Sequence, residues 1–481
     1  MHSKTLKSTA LLISMKFIER FIGIISTLIL ARLLIPEDFG IVVIVLLSIN
    51  FFDAISVAGT EQYIIQKNTV SSQDLNTAWS LDILLKTIMV LMLILLAVFI
   101  AEFYEKPQLT LPIQIMSVTL LIRASINPEI YLLKKTNQYR TIFNLSVVQK
   151  FLMATTTITM ALYFKSFWAL VIGHVVNVVV LCVGSYVICK FRPKFTLINF
   201  KDQFYFSKWS LLKSIFGYVG SQIDTILVGK IHDIASLGAY HNMKYLSSMP
   251  YTQFIEPGTT PLFATFSAEK NNFRKTQYFF DLSFFMIISF GIPLCVFSVI
   301  FSKEIVLILL GDQWIEYASL FGIFSILILS QSIASIAQSL CLSRGFVRLL
   351  FWFDVISFGL VILTIYLTYE YSLETFAFCR SVLSLLIISG LAFFITHKLS
   401  LSFIEPLKFL FVVTMLAVCS YLLILGINQL YFEESMLYNV IKMFIFLISY
   451  GLLFLLWIKL SKAESPEYIR NKVNELRHKF L

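Results

Sequence analysis

Three charged residues stand inside one apolar run. Lys16, Glu19 and Arg20 lie in the stretch from residue 10 to 34. Their i, i+3, i+4 spacing puts them on one face of a helix, and Gly23 and Thr27 continue that face. At a bilayer centre each charge costs ~2.5–3.5 kcal/mol, whereas one Leu returns only ~0.3–0.6 kcal/mol. Three charges facing lipid would consume most of the helix's insertion energy. They must therefore face a bundle interior or a water-filled cavity, where ionisable groups mark a substrate or ion path.

Other apolar runs carry the same kind of residue. Asp53, Asp82 with Lys86 one turn later, Arg123, Lys150, His174, Asp354 and Arg380 all sit within or at the edge of such runs. Lys213, Gly217, Gly220, Ser221 and Asp224 form a polar face. Asn242, Lys244, Tyr245, Ser248, Thr252, Gln253 and Glu256 form another, ending at Pro257-Gly258. Glu19, Asp53, Asp224 and Glu256 are candidates for binding Na⁺ or H⁺, and nothing in the sequence chooses between the ions. A plainer reading stands beside this one. Glu19 with Lys16 or Arg20, and Lys86 with Asp82, would pair only to lock helices. Arg123, Lys150 and Arg380 would snorkel to an interface. His174 would be a packed or hydrogen-bonded histidine, with a proton relay as the sharper alternative.

The elements that must position these groups follow from composition. The chain is 58% hydrophobic and 14% charged, too apolar for a water-soluble domain of this length. Runs of roughly 20 apolar residues recur, each long enough to cross a ~30 Å hydrocarbon core. About fourteen candidate spans result. They are 10–34, 39–60, 79–101, 109–127, 142–163, 167–189, 209–230, 238–263, 280–302, 317–341, 349–369, 374–396, 407–427 and 438–460. The first run is too long and too charged for a cleaved signal, so a retained helix is expected. Cys182, Cys189, Cys295, Cys341, Cys379 and Cys419 all lie in or beside apolar runs without metal-ligand spacing. They read as packing residues, with no disulfide framework, no metal and no cofactor.

The net charge of +10 reads as membrane topology rather than nucleic-acid binding. With the N-terminus inside, roughly 24 Lys and Arg fall on inner segments and about 5 on outer ones, as the positive-inside rule expects. The inner segments include KKTNQYR (134–140), KFRPKF (190–195) and EKNNFRK (269–275). Both termini are thus expected in the cytoplasm. After Lys462, Ser465-Pro466-Glu467 reads as a helix start. Ile469, Val473, Leu476 and Phe480 then share one face, which predicts a basic amphipathic helix on the inner leaflet.

The chain also repeats itself. TLILARLLIPEDFGIVV (27–43) and TILVGKIHDIASLGAYH (225–241) align at one constant offset, pairing Thr27 with Thr225, Arg32 with Lys230 and Gly40 with Gly238. YLLKKTNQYRTIF and SLCLSRGFVRLLF give a second match, Arg140 lying where Arg348 does. The fold expected is all-α and polytopic. Two parallel six-helix repeats would form two lobes around a central cavity, with two extra C-terminal helices. The boundaries are 1–190 and 207–397 for the lobes, 191–206 for a cytoplasmic linker, 398–461 for the extra pair and 462–481 for the tail.

The Arg-x-Leu…Pro-x-x-Phe-Gly hairpin, the stretch Glu304–Trp314 and the fourteen-helix count resemble the polysaccharide-transport branch of the multidrug/oligosaccharidyl-lipid/polysaccharide exporter superfamily. The resemblance covers essentially the whole chain. It implies a V-shaped transporter that flips undecaprenyl-diphosphate-linked oligosaccharide repeat units for O-antigen, capsule or exopolysaccharide synthesis. A diphosphate demands Arg or Lys donors, and Lys16, Arg20, Arg123, Lys213 and Lys244 are the candidates. Sugar hydroxyls and faces would meet Tyr245 and Gln253, with Tyr218, Tyr240 and Gln222 in support. The superfamily also holds drug/cation antiporters, whose cargo favours acidic cavities; the excess of cations in the first span speaks against that alternative. A polymerase or glycosyltransferase would resemble chains with a sizeable outer loop. All outer loops here are short, and no P-loop, nucleotide motif or Ser/His/Asp constellation appears. The implied partners are the lipid-linked oligosaccharide, membrane lipids, Na⁺ or H⁺, and polymerase and glycosyltransferase proteins, with the chain acting as a monomer.

Overall fold

The computed structural model describes residues 20–56, 60–136, 138–198, 200–259, 261–430 and 436–461. Lys16, Glu19 and the predicted tail helix lie outside them. The chain divides into two compact units, Met1–His241 and Asn242–Leu481.

In the first unit, α1 (20–33) turns into α2 (Pro36–Ser56). Pro36 occupies the first helical position, where its missing N–H costs nothing, and Glu37 and Asp38 follow in the first turn. The Asp38 carboxylate accepts from Ile35 N at 3.3 Å and from Phe167 N at 2.9 Å, tying the turn to the start of a later helix. After α3 (Thr60–Gln66), a capping box between Ser71 and Asp74 opens the 32-residue α4 (Ser72–Phe103); Lys67 pairs with the same Asp74 at 2.8 Å. α5 (Thr110–Ala124) and α6 (Glu129–Lys135) meet at a 63° bend. α7 (Tyr139–Phe164) and α8 (Trp168–Ile188) pack closely, because Gly173 lies against Thr157 and Gly184 against Leu145 with no room for a side chain. The following segment is pinned through its backbone. The N–H groups of Phe191, Lys194 and Thr196 donate to Glu129 Oε2 (2.8 Å), Asn76 Oδ1 (2.8 Å) and Ser80 Oγ (2.9 Å). α9 (Phe200–Ile231) and the start of α10 (Ile234–Pro250) complete the unit.

The repeated hairpins cross one another here. A Cβ on Gly40 would strike the Ile234 carbonyl, and one on Gly238 would strike the Pro36 carbonyl and sit 2.7 Å from Gly40 N. Pro36 and Ile234 are themselves related by the repeat offset. The contact is therefore reciprocal, first turn of α2 against first turn of α10, and the close backbone approach requires glycine on both sides.

In the second unit, α10 runs into a π-helical turn (Tyr251–Ile255), then the short α11 (Glu256–Thr259) and α12 (Leu262–Ala268). The largely buried α13 (Phe273–Ile300) starts at an Asn272 cap. α14 (Ser302–Leu309) ends at Gly311, whose φ of 100° favours glycine. Trp314, just beyond, is fully buried. α15 (Ala318–Phe324), α16 (Ile326–Ser343), α17 (Val347–Thr368), α18 (Leu373–Lys398), α19 (Ile404–Leu430) and α20 (Met436–Leu460) follow. α19 and α20 belong to the unit's core. Val413, Ala417 and Tyr450 share one hydrophobic cluster with Phe280, Ile288 and Leu340. Phe285 packs against Phe409, Phe454 and Trp457, and the Tyr450 hydroxyl donates to Ser289 O at 2.8 Å.

Among the described residues ten helices are long and apolar enough to cross a membrane, or eleven if α5 and α6 count as one broken span. This is a multi-pass, all-α membrane protein. The expected spans seven and eight are helical as α9 and α10, but α9 is too polar for the apolar set and α10 gives way after 17 residues to a π-helical turn. The first expected span lies partly outside the described residues.

Candidate functional site

Unit 1 gathers its intramembrane charges around the Asp53 carboxylate, one turn before the end of α2. Arg123, at the end of α5, donates from Nη1 to Asp53 Oδ2 at 2.7 Å. Lys86, midway along α4, brings Nζ to 3.1 Å from Asp53 Oδ1. One acid thus holds two cations from two other helices. Burial grades across the group: the side chains of Lys86, Asp53 and Arg123 are 11%, 19% and 37% exposed. Asp82, one turn before Lys86, accepts from Thr60 Oγ1 at 3.0 and 3.2 Å. His174 on α8 and Lys150 on α7 are each partly buried. Removing Asp53 would leave its two cations uncompensated in apolar surroundings, where a stranded charge typically costs ~3–5 kcal/mol.

This geometry corrects the expected Lys86–Asp82 pair. The two are spaced to meet on α4, but the Lys86 ammonium reaches across to α2, and Thr60 at the start of α3 takes Asp82 instead. Asp53 and Arg123, both singled out from sequence, are in direct contact. Lys86 as the second arm of the site was missed, because its i, i+4 neighbour offered a local partner.

Asp224 on α9 is 1% exposed. Its Oδ1 accepts from Thr225 N at 2.8 Å and its Oδ2 from the Tyr240 hydroxyl at 3.1 Å. Tyr240, a candidate sugar-facing ring, is fully buried against it. The Tyr218 hydroxyl donates to Leu47 O on α2 at 2.8 Å. Arg20 is partly buried at the start of α1. Lys213 lies within α9, and its side chain is outside the described set.

The remaining candidates belong to unit 2. Lys244 is partly buried on α10, and Tyr245 beside it is 48% exposed. Gln253 lies in the π-helical turn and Glu256 directly follows it. A π-helical turn inserts an extra residue into the helical ladder and often accompanies a functional site. Among the described residues no group of three His, Cys, Asp or Glu side chains is arranged to hold a metal ion.

Comparison with known proteins places this arrangement. The family described as "Polysaccharide biosynthesis protein" matches residues 29–319. The lipopolysaccharide biosynthesis protein WzxC of Escherichia coli (strain K12) is 23% identical over 341 residues, covering 69% of this chain and 69% of that one. The fold is shared with the lipid II flippase MurJ in its inward closed conformation, at a TM-score of 0.71 and 14% identity over 94% of this chain and 99% of that one. An inward-facing multidrug resistance MATE transporter of the MOP superfamily shares it less closely, at 0.57 and 11% over 79% and 94%. The chain belongs to the polysaccharide biosynthesis protein family.

Proposed function

We propose that this family member flips undecaprenyl-diphosphate-linked oligosaccharide repeat units across the bacterial cytoplasmic membrane by alternating access, for assembly of a cell-surface polysaccharide. The observation that carries this reading is the Arg123–Asp53–Lys86 cluster. A membrane protein that keeps guanidinium and ammonium groups inside apolar helices has a use for them with an anion. The polysaccharide family and a fold shared with a lipid flippase support a lipid-linked glycan as that anion's carrier.

In this reading Lys16, Arg20, Arg123, Lys213 and Lys244 serve the diphosphate, and Tyr245 and Gln253 serve the sugar. Glu19, Asp224 and Glu256 are the residues left for Na⁺ or H⁺ coupling, together with Asp53 once it is released from its cations. Both termini face the cytoplasm, as the Lys and Arg distribution favours.

The test is reconstitution. Proteoliposomes containing the chain should expose a labelled undecaprenyl-diphosphate oligosaccharide on the opposite leaflet, and empty liposomes should not. Arg20→Ala should cost ~2–4 kcal/mol of substrate binding, read as lost flipping at normal protein abundance. Absence of lipid flipping together with uptake of a cationic drug would replace this reading with the antiporter.

A further inference from the structure

The Asp53 carboxylate gives one oxygen to each of two cations, so neither receives the paired hydrogen bonds that a carboxylate can offer a guanidinium. Arg123 has five N–H donors and commits one, Nη1, to Asp53 Oδ2 at 2.7 Å. Its side chain is also the most open of the three, at 37% exposed against 11% for Lys86. Two cations therefore share the one carboxylate, because Asp82 is engaged by Thr60.

We propose that Asp53 is a resident counter-ion that the diphosphate of the lipid substrate displaces from Arg123. The Arg123–Asp53–Lys86 cluster would then be an anion-exchange site inside unit 1. The proposal rests on the flippase reading and adds the site and its gatekeeper. Exchange strands no charge: as Arg123 turns to the incoming anion, Asp53 keeps Lys86. A diphosphate presents several charged oxygens to the guanidinium fork and makes stronger, paired hydrogen bonds than one carboxylate oxygen. A singly charged headgroup lacks that advantage, so Asp53 sets a threshold that ordinary anionic lipids do not pass.

The experiment measures binding of undecaprenyl diphosphate, inorganic diphosphate and phosphatidylglycerol to the purified full chain by native mass spectrometry, with the melting temperature of each variant recorded. Asp53→Asn removes the competitor and should tighten both diphosphates about 10- to 100-fold while leaving phosphatidylglycerol unchanged. Arg123→Ala should weaken both diphosphates by a similar factor. Tightening of the lipid alone would assign the site to the headgroup in its membrane setting; tightening of both assigns it to the diphosphate itself. Arg123→Lys keeps the charge and loses the fork, so it should weaken diphosphate binding at an unchanged melting temperature; it decides the matter if Asp53→Asn does not fold. Equal diphosphate affinities in wild type, Asp53→Asn and Arg123→Lys would overturn the proposal and leave the pair a helix lock. Equal tightening of phosphatidylglycerol would overturn it as well. A wild-type chain that flips the oligosaccharide yet shows these null results would retain the flippase reading; one that binds no prenyl diphosphate loses both.

Discussion

The hairpin at residues 27–43 and its repeat at 225–241 share a backbone and differ in polarity. α2 is apolar and mostly buried, whereas α9 and α10 carry Asp224, Lys230 and Lys244 and fall outside the apolar spans. The two meet at Gly40 and Gly238, each pressed against the carbonyl that lies one turn before the other glycine. What repeats is the close approach. The side chains on either side of it are free to diverge, and in the second copy they have diverged toward charged and polar residues. A crossing held by backbone contacts constrains two positions and leaves the rest of each hairpin to function.

The sharpest way to break this comparison is to fill the crossing. Gly40→Val and Gly238→Val should each destabilise the protein by at least ~1–3 kcal/mol, because the clashing atoms are main-chain carbonyls that cannot rotate away. The two losses should be similar. Thermal unfolding of purified protein reads both, and tolerance of one but not the other would end the claim of reciprocity.

A smaller effect sharpens the difference between the copies. Tyr218 occupies the place in the second hairpin that Arg20 occupies in the first, and its hydroxyl ties α9 to Leu47 O. Tyr218→Phe should cost ~0.5–1.5 kcal/mol of stability and leave diphosphate binding intact. Reduced binding at unchanged stability would give Tyr218 a role like that proposed for Arg20.

The smallest effect lies at the end of α4, which braces both hairpins with opposite charges. Lys106 pairs with Glu37 at 3.5 Å and Glu105 with Lys230 at 2.7 Å. The hydrogen bond from Lys230 holds the Glu105 carboxyl below its usual value of 4.5. A depressed carboxyl contributes stability above its unfolded value and loses it as pH falls through the folded one. Wild type should therefore lose slightly more melting temperature than Glu105→Gln between neutral pH and about pH 3.5. Glu105 is solvent-exposed, and screening keeps the difference small. Identical pH profiles would show that only the Lys106–Glu37 side of the brace matters.

Much of the architecture was legible residue by residue. Apolar length marks a helix whatever surrounds it, so α2, α4, α7, α8, α13 and α15 to α20 lie close to where the runs predict them. Pro36 at the start of α2 and the constant offset between the hairpins were likewise readable, because caps and repeats are written in local order. The candidate site was half legible: Asp53 and Arg123 stand out as charges in apolar runs, but their contact joins residues 70 positions apart.

By itself the sequence determined the class, the run of helices, the repeated hairpin and the set of intramembrane charges, since each depends on composition or spacing within a few turns. Tertiary structure alone decided which charges meet, why the repeated glycines are needed, and that α19 and α20 help to build a core. Lys86 had a carboxylate one turn away and chose one on another helix. The energy of an ion pair depends on distance and burial, and both are set by how helices pack against each other.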